Sequence, residues 1–96
     1  MNFKVGDKIK FKNQKQRYTV RAVSEKFVIC TKPFNAKRTY IYTIIDLKNK
    51  LRGADNYGCW GYETDEQCQE AIKKWDSGEI THSSRNRPIE LDIEYK

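Results

Sequence analysis

Residues 26–53 read KFVICTKPFNAKRTYIYTIIDLKNKLRG, and this stretch holds the densest apolar and β-branched content of the 96-residue chain. Its two apolar runs are residues 27–30 and 40–45. Side chains of this kind suit a pleated sheet, and apolar runs this short suit strands that are covered on both faces. Pro33 and Asn35 between the runs indicate a turn. The stretch therefore predicts a long β-hairpin at the centre of a sheet, with a basic loop at its tip.

Two segments upstream of the hairpin alternate apolar and polar side chains with the period of a strand, residues 8–12 and 17–23. In the second segment we expect Tyr18, Val20 and Ala22 to face inward. Four closely spaced strands after a Val-Gly-Asp turn are typical of the start of an SH3-like small barrel. With the helix described next, the predicted fold is α+β: a twisted antiparallel sheet or SH3-like partial β-barrel of about five strands, with one α-helix packed on it.

A capping box gives the clearest local signal in the chain. Thr64 stands at the N-cap position and Gln67 follows three residues later, which allows each to hydrogen-bond the backbone of the other. Gly78 is placed to end a helix. We predict a helix over residues 65–77, with one apolar stripe at helical spacing formed by Cys68, Ala71, Ile72 and Trp75.

The last strand signal is residues 89–95, IELDIEY, in which apolar and acidic side chains alternate. We expect one strand whose inner face carries Ile89, Leu91, Ile93 and Tyr95. Its acidic outer face should pair with a lysine- or arginine-faced strand near the N-terminus, because opposite charges across a ladder are favourable.

Composition limits the class of protein. Ninety-six residues predict one domain, residues 1–96, with a basic β-rich part (1–53), an aromatic and glycine-rich loop (54–63), the helix and the final strand. No run approaches the ~20 apolar residues of a membrane span, and residues 1–7 lack a signal-peptide core. We therefore expect no membrane association and a place in the cytoplasm of a bacterial host cell.

The residues that carry chemistry are few. Three cysteines and a lone His82 show no spacing typical of a zinc site, and no catalytic signature motif is present. His82, beside two serines, has the pattern of a solvated residue. We expect a protein that is not an enzyme and that holds no metal or cofactor.

Charge is distributed unevenly along the chain. The net charge is +6, but residues 1–53 hold fourteen basic and three acidic residues, net +11, and residues 54–96 hold five basic and ten acidic ones, net −5. Such asymmetry indicates an anionic partner for the first half. The two halves could equally neutralise each other in the folded protein.

Three loops place Arg or Lys beside Asn, a combination suited to phosphate recognition: residues 31–38, 52–56 and 85–87. If they converge, they form an anion pocket. Alternatively, the Asn side chains satisfy local turns and the arginines pair with acids of the second half. With the basic strand faces, the candidate nucleic-acid- or anion-binding residues are Lys10, Lys12, Arg17, Arg21, Lys32, Asn35, Lys37, Arg38, Arg52, Arg85 and Arg87. Trp60, in a glycine-rich loop, is either a lid on the helix or a contact for a partner.

Several of these segments together form a longer pattern: FVICTKPFN (27–35), YTIIDL (42–47), RGADN (52–56), GYET (61–64) and SRNR (84–87). Over roughly residues 3–93 the chain resembles a family of small proteins carried by bacteriophages, prophages and mobile elements. The resemblance implies an accessory role, since such genes often encode regulators or inhibitors of host defence, including anti-CRISPR proteins. It implies no catalytic residue.

We therefore predict a non-catalytic accessory protein of phage or mobile-element type. Its basic β-face and hairpin loop would engage nucleic acid or a host nucleoprotein complex, in the manner of an anti-CRISPR inhibitor. One alternative is a pocket that sequesters a small phosphorylated or nucleotide signal through Arg52, Arg85 and Arg87. Another is a protein–protein adaptor that uses an edge strand and Trp60.

Overall fold

The computed structural model describes residues 2–33, 40–56 and 61–95. Its strands, in chain order, are β1 (Lys8–Phe11), β2 (Tyr18–Val23), β3 (Phe27–Pro33), β4 (Tyr40–Asp46), β5 (Leu51–Gly53), β6 (Ile89–Glu90) and β7 (Ile93–Tyr95), and helix α1 (Asp65–Ser77) lies between β5 and β6. They form one antiparallel sheet in the order β6-β5-β4-β3-β2-β1-β7. The sheet curls into a half-barrel, so the predicted α+β fold with a partial barrel and one helix is confirmed.

The central hairpin lies between two hydrophobic cores. Ile29 of β3 and Ile44 of β4 belong to the core under α1, whereas their neighbours Val28, Cys30 and Ile45 belong to the core inside the half-barrel. All five are completely buried. The dense apolar composition of these two strands is thus explained, because side chains on both faces of a strand leave water when both faces are covered.

A β-bulge at Arg21 divides the inward residues of β2 between these cores. Val20 pairs with Cys30 and Ala22 pairs with Ile29, so β2 has one more residue than β3 across this step. A bulge of this kind reverses the side-chain alternation. Val20 consequently packs inside the half-barrel and Ala22 packs under α1. The expectation that both face inward is confirmed, but the bulge directs them into two different cores.

The helix has the ends that its sequence indicates. Thr64 Oγ1 accepts from the Gln67 backbone N–H at 3.1 Å, and the Gln67 side chain accepts from the Thr64 backbone N–H at 3.1 Å. Gly78 adopts the left-handed conformation, φ 83°, at the other end, where a Cβ would be strained. The predicted apolar stripe is the buried face.

The C-terminal segment differs from the prediction of one continuous strand. It forms β6, which pairs with β5, and β7, which pairs with β1, so it contacts both ends of the sheet. The pairing with a basic strand is confirmed at β7, where Lys10 Nζ lies 3.3 Å from Glu94 Oε2. The inward position of Ile89 is wrong, since this side chain is 50% exposed. The alternation of apolar and acidic side chains is interrupted because residues 91 and 92 carry the backbone from its pairing with β5 to its pairing with β1.

The link between β6 and β7 is itself hydrogen-bonded to both sides. The Leu91 N–H donates to the Lys50 carbonyl at 2.8 Å, and the Lys12 N–H donates to the Asp92 carbonyl at 2.9 Å. Within the described ranges, no helix has the length and apolar character that a bilayer crossing requires.

Candidate functional site

The strand registers bring a basic turn to the end of the central hairpin. Thr19 lies opposite Thr31, and Thr31 lies opposite Tyr42. The β1–β2 turn, residues 12–17, therefore lies at the end of the sheet where β3 ends and β4 begins. A hydrogen bond of 2.9 Å from Lys32 Nζ to Gln14 Oε1 joins the turn to β3. We call residues 12–17 and Lys32 the basic end.

Composition makes this turn strongly positive. Its sequence is KNQKQR, with cations at Lys12, Lys15 and Arg17 and no carboxylate. All three cations are exposed. Asn13 has φ 64°, a left-handed conformation that Asn tolerates better than most residues. The amides can donate and accept hydrogen bonds, and the cations can contact phosphates, so the turn has the chemistry of a nucleic-acid-binding loop.

Lys32 is held in place against the sheet. Its ammonium group lies 5.1 Å from the centre of the Tyr18 ring and contacts Gln14, and the side chain is half-buried. Burial raises the pKa of Tyr18, so the phenol is neutral at pH 7. The Lys32 charge is therefore fixed beside the turn and adds to its potential.

Two other predicted cations are engaged with acids of the second half. Lys10 pairs with Glu94. Arg21 donates to the Asp65 carboxylate at 2.9 Å, to Thr31 Oγ1 and to the Glu63 carbonyl, and its side chain is only 15% exposed. Their hydrogen bonds fasten β7 to β1 and the start of the helix to β2, which is a structural role.

Arg52 lies inside the half-barrel instead of in a binding loop. Its guanidinium group forms two hydrogen bonds to Asp92, at 2.5 and 3.2 Å, and its Cζ lies 4.2 Å from the centre of the Phe11 ring. The Arg52 side chain is 11% exposed and that of Asp92 is 21% exposed. Arg52 thus connects β5, the β6–β7 link and β1, and it is not available to a phosphate.

Two of the three predicted loops do converge. Asp55 and His82 form a β-bridge, the Ser83 N–H donates to the Ala54 carbonyl at 3.0 Å, and the Asn56 N–H donates to the Thr81 carbonyl at 2.9 Å. Between the loops lies a cavity of about 430 Å³, which we call the loop pocket, lined by Tyr42, Ala54, Asp55, Asn56, Ser83, Ser84, Arg85 and Asn86. Arg85 thus belongs to this pocket, and Arg87 is exposed two residues further along.

Two residues that line the loop pocket, Tyr42 and Asp55, both contact Tyr62, which the sequence did not indicate. The Tyr62 hydroxyl donates a hydrogen bond to Asp55 Oδ2, and its ring packs against that of Tyr42, with ring centres 4.3 Å apart. Burial, with the hydrogen bond to Asp55, raises the pKa of Tyr62. The sequence gives no sign that Asp55 is buried, because the surrounding loop is polar and only the fold brings Asp55 within hydrogen-bonding distance of Tyr62.

Four predicted residues fall outside what the structure describes, and one exposed cation of the basic end was not predicted. Asn35, Lys37, Arg38 and Trp60 lie outside the described residues. Lys15 was not among the candidates, although it belongs to the same exposed turn as Lys12 and Arg17. The absence of any acid between residues 12 and 17 is the signal that indicates it.

His82 is not the solvated residue that its neighbours suggested. Its ring packs on Trp75 with centres 5.0 Å apart, and both ring nitrogens are buried. Burial lowers the pKa of His82, and the nearby Asp46 carboxylate opposes this only in part.

Comparison with family models, curated proteins and solved structures finds no match. The resemblance to phage and mobile-element proteins therefore stays a prediction, and the site has to be interpreted from its own chemistry.

Neither cysteine that the structure describes has the chemistry of a nucleophile. Cys30 and Cys68 are both buried. Burial raises the pKa of Cys30, and it raises the pKa of Cys68 to about 11. A thiol is a nucleophile as its thiolate, so neither cysteine is activated at pH 7.

Proposed function

We propose that this protein is a non-catalytic binding protein that engages nucleic acid, free or within a nucleoprotein complex, through the basic end. One observation carries the proposal: the exposed turn at residues 12–17 has three cations and no acid, and it lies beside Lys32 where the central hairpin ends. In the accessory role that the phage resemblance implies, the target would be a host defence complex in the bacterial cytoplasm, as for anti-CRISPR inhibitors.

The charges that remain exposed set the expected strength of this binding. Duplex DNA gives a slope of log affinity against log salt of about −0.9 per neutralised phosphate. If Lys12 and Lys15 each contact one phosphate, the two together contribute about −1.8 to the slope. Lys10, Arg21 and Arg52 are excluded from this number because they pair with carboxylates of the same chain.

Fluorescence anisotropy with labelled single- and double-stranded DNA and RNA, at several salt concentrations, tests the proposal. The informative variant is K12Q/K15Q, and its matched control is K48Q/K50Q. Lys48 and Lys50 are also exposed, but they lie in the β4–β5 turn at the opposite end of the sheet. Both variants change the net charge equally.

The two variants should behave differently if the basic end binds the nucleic acid. K12Q/K15Q should reduce the salt slope by about 2 and weaken binding on the order of tenfold, and the control should leave both nearly unchanged. Equal losses in the two variants would show that only net charge matters. No binding by the unaltered protein at low salt would overturn the proposal altogether.

The loop pocket favours a second candidate function, the capture of a small phosphorylated or nucleotide ligand. Its volume is of the size that small-molecule sites have, and it combines the Tyr42 ring with the Arg85 guanidinium group. Calorimetric titration with nucleoside monophosphates, with R85Q against R87Q, separates this from the first candidate. An adaptor role through Trp60 would depend on a residue outside the described ranges.

A further inference from the structure

A second cavity lies at the C-terminal end of α1, at the opposite end of the sheet from the basic end. Its volume is about 200 Å³, and it is lined by Phe27, Asp46, Trp75, Gly78, Ile80, Thr81 and His82. Phe27 and Asp46 face each other as the first and last paired residues of the central hairpin. Nothing in the function proposed above uses this cavity.

Three rings form one wall of the cavity. The Phe27 and Trp75 ring centres are 5.2 Å apart, with planes inclined by 49°, and the Trp75 and His82 ring centres are 5.0 Å apart, with planes inclined by 62°. The rings therefore form an arc around Trp75 and do not stack in parallel. Trp75 at the centre of the arc is 2% exposed, whereas the flanking Phe27 and His82 rings are only half-buried and leave surface for one small guest. Burial holds the pKa of His82 below its usual value, so at pH 7 this ring adds no positive charge.

A buried carboxylate lies beside these rings. Asp46 is 8% exposed, and it accepts hydrogen bonds from the backbone N–H and the side-chain amide of Asn49, at 3.1 and 2.8 Å. Both donors are neutral. In the described part of the chain, no salt bridge involves Asp46. A buried charge without a countercharge is costly, and a bound cation would remove much of that cost.

The helix adds negative potential from the other side. Gly78 lines the cavity directly after the last helical residue, Ser77, and the C-terminal end of a helix carries a partial negative charge. The cavity thus combines aromatic rings, one carboxylate and a helix C-terminus. Each of these favours a positive charge over a negative or a neutral group.

We propose that this cavity binds a compact organic cation, a methylated ammonium group, supplied by a small molecule or by a methylated lysine side chain. An inorganic cation would prefer oxygen ligands over ring faces. A methylated ammonium group is weakly hydrated and suits an aromatic wall, which is the recognised use of cation–π contacts in binding quaternary ammonium groups. The site does not depend on nucleic-acid binding, so either proposal stands if the other fails.

The test is an NMR titration of ¹⁵N-labelled protein with choline, followed on the indole N–H of Trp75 after assignment with a W60F variant. The matched ligand is 3,3-dimethyl-1-butanol, which has the shape of choline without its charge. Choline should shift the Trp75 signal with millimolar affinity or better, and the neutral alcohol should not. A third arm uses trimethyl-lysine amide: tighter binding than choline assigns the site to a protein side chain, and weaker binding assigns it to a small molecule.

Two variants connect the binding to the cavity. F27L and D46N should each weaken choline binding at least about fivefold. Their controls are F3L, in the other core, and D76N. Asp76 is a half-buried residue of α1 whose carboxylate accepts a hydrogen bond from the Ser24 hydroxyl. Circular dichroism checks that each variant is folded. The proposal is overturned if neither cation shifts Trp75, if the neutral alcohol shifts it equally, or if folded D46N binds choline as well as D76N does.

Discussion

Replacing Arg52 by methionine is expected to lower the free energy of unfolding by about 3 kcal/mol. The Arg52 guanidinium group joins three parts of the half-barrel, because it pairs with Asp92 of the β6–β7 link and covers the Phe11 ring of β1. Methionine keeps much of the contact with Phe11 but leaves Asp92 without its partner. Loss of one member of a buried pair typically costs 3–5 kcal/mol. We expect the lower value because the Asp92 side chain is 21% exposed and can recruit water.

Urea denaturation measures this loss, and a double-mutant cycle with D92L shows whether it belongs to the pair. For a domain of this length, about 3 kcal/mol corresponds to a fall in Tm on the order of 15 °C. R52M/D92L should recover at least about 1 kcal/mol relative to the sum of the single variants, because no charge is then left unpaired. The control is K74M. Lys74 and Glu79 lie 3.8 Å apart and are more exposed than Arg52 and Asp92, so this pair should contribute at most about 1 kcal/mol to stability. Additive single effects, or a loss in R52M no larger than that in K74M, would refute the structural role.

Three further predictions concern single positions. Thr64→Ala removes the N-cap hydrogen bond to Gln67 and should destabilise the protein by about 1 kcal/mol, measured by thermal denaturation of the helical circular dichroism signal; T81A, in an exposed loop, is the control. Gly53→Ala should destabilise by about 1–3 kcal/mol in urea, because the new Cβ would lie 3.0 Å from the Pro88 Cα; an unchanged midpoint would mean that the Pro88 segment yields easily. Burial lowers the pKa of His82 in the folded state, so the unfolded state binds the proton more readily. Stability should therefore fall as the pH drops below about 6.5, and H82Q should show a smaller fall between pH 7 and pH 5; equal falls would contradict the assignment to His82.

The parts of the fold that could be predicted are those whose cause is local. The capping box at Thr64 and Gln67 lies within four residues. The burial of β3 and β4 follows from the apolar composition of their own residues. The bulge at Arg21 has no such local cause. It depends on two cores that occupy opposite faces of the sheet, and this is a property of the assembled fold.

The candidate site shows the same limit. The sequence places cations along the whole first half, but it does not show which of them meet a carboxylate after folding. Lys10, Arg21 and Arg52 meet Glu94, Asp65 and Asp92, residues 40 or more positions away. Lys12 and Lys15 remain exposed because the β1–β2 turn lies beyond the ends of the paired strands. The opposite net charges of the two halves indicate that such ion pairs can form, but they do not identify the paired residues.

The double pairing of residues 89–95 bears on how the chain is made. During synthesis, β1 and β5 are complete long before these residues leave the ribosome, and until then each has one unpaired edge. Helix α1 emerges earlier and can cover its face of β3 and β4, so the core under the helix can form first. The core inside the half-barrel is covered on one side only when Leu91 and Ile93 of the C-terminal segment pack against it. Their arrival also brings Glu94 to Lys10, 84 positions away in the chain. Closure over such distances is slow, and open strand edges attract other chains. Nascent chains that stall before residue 89 should therefore be the species that aggregate.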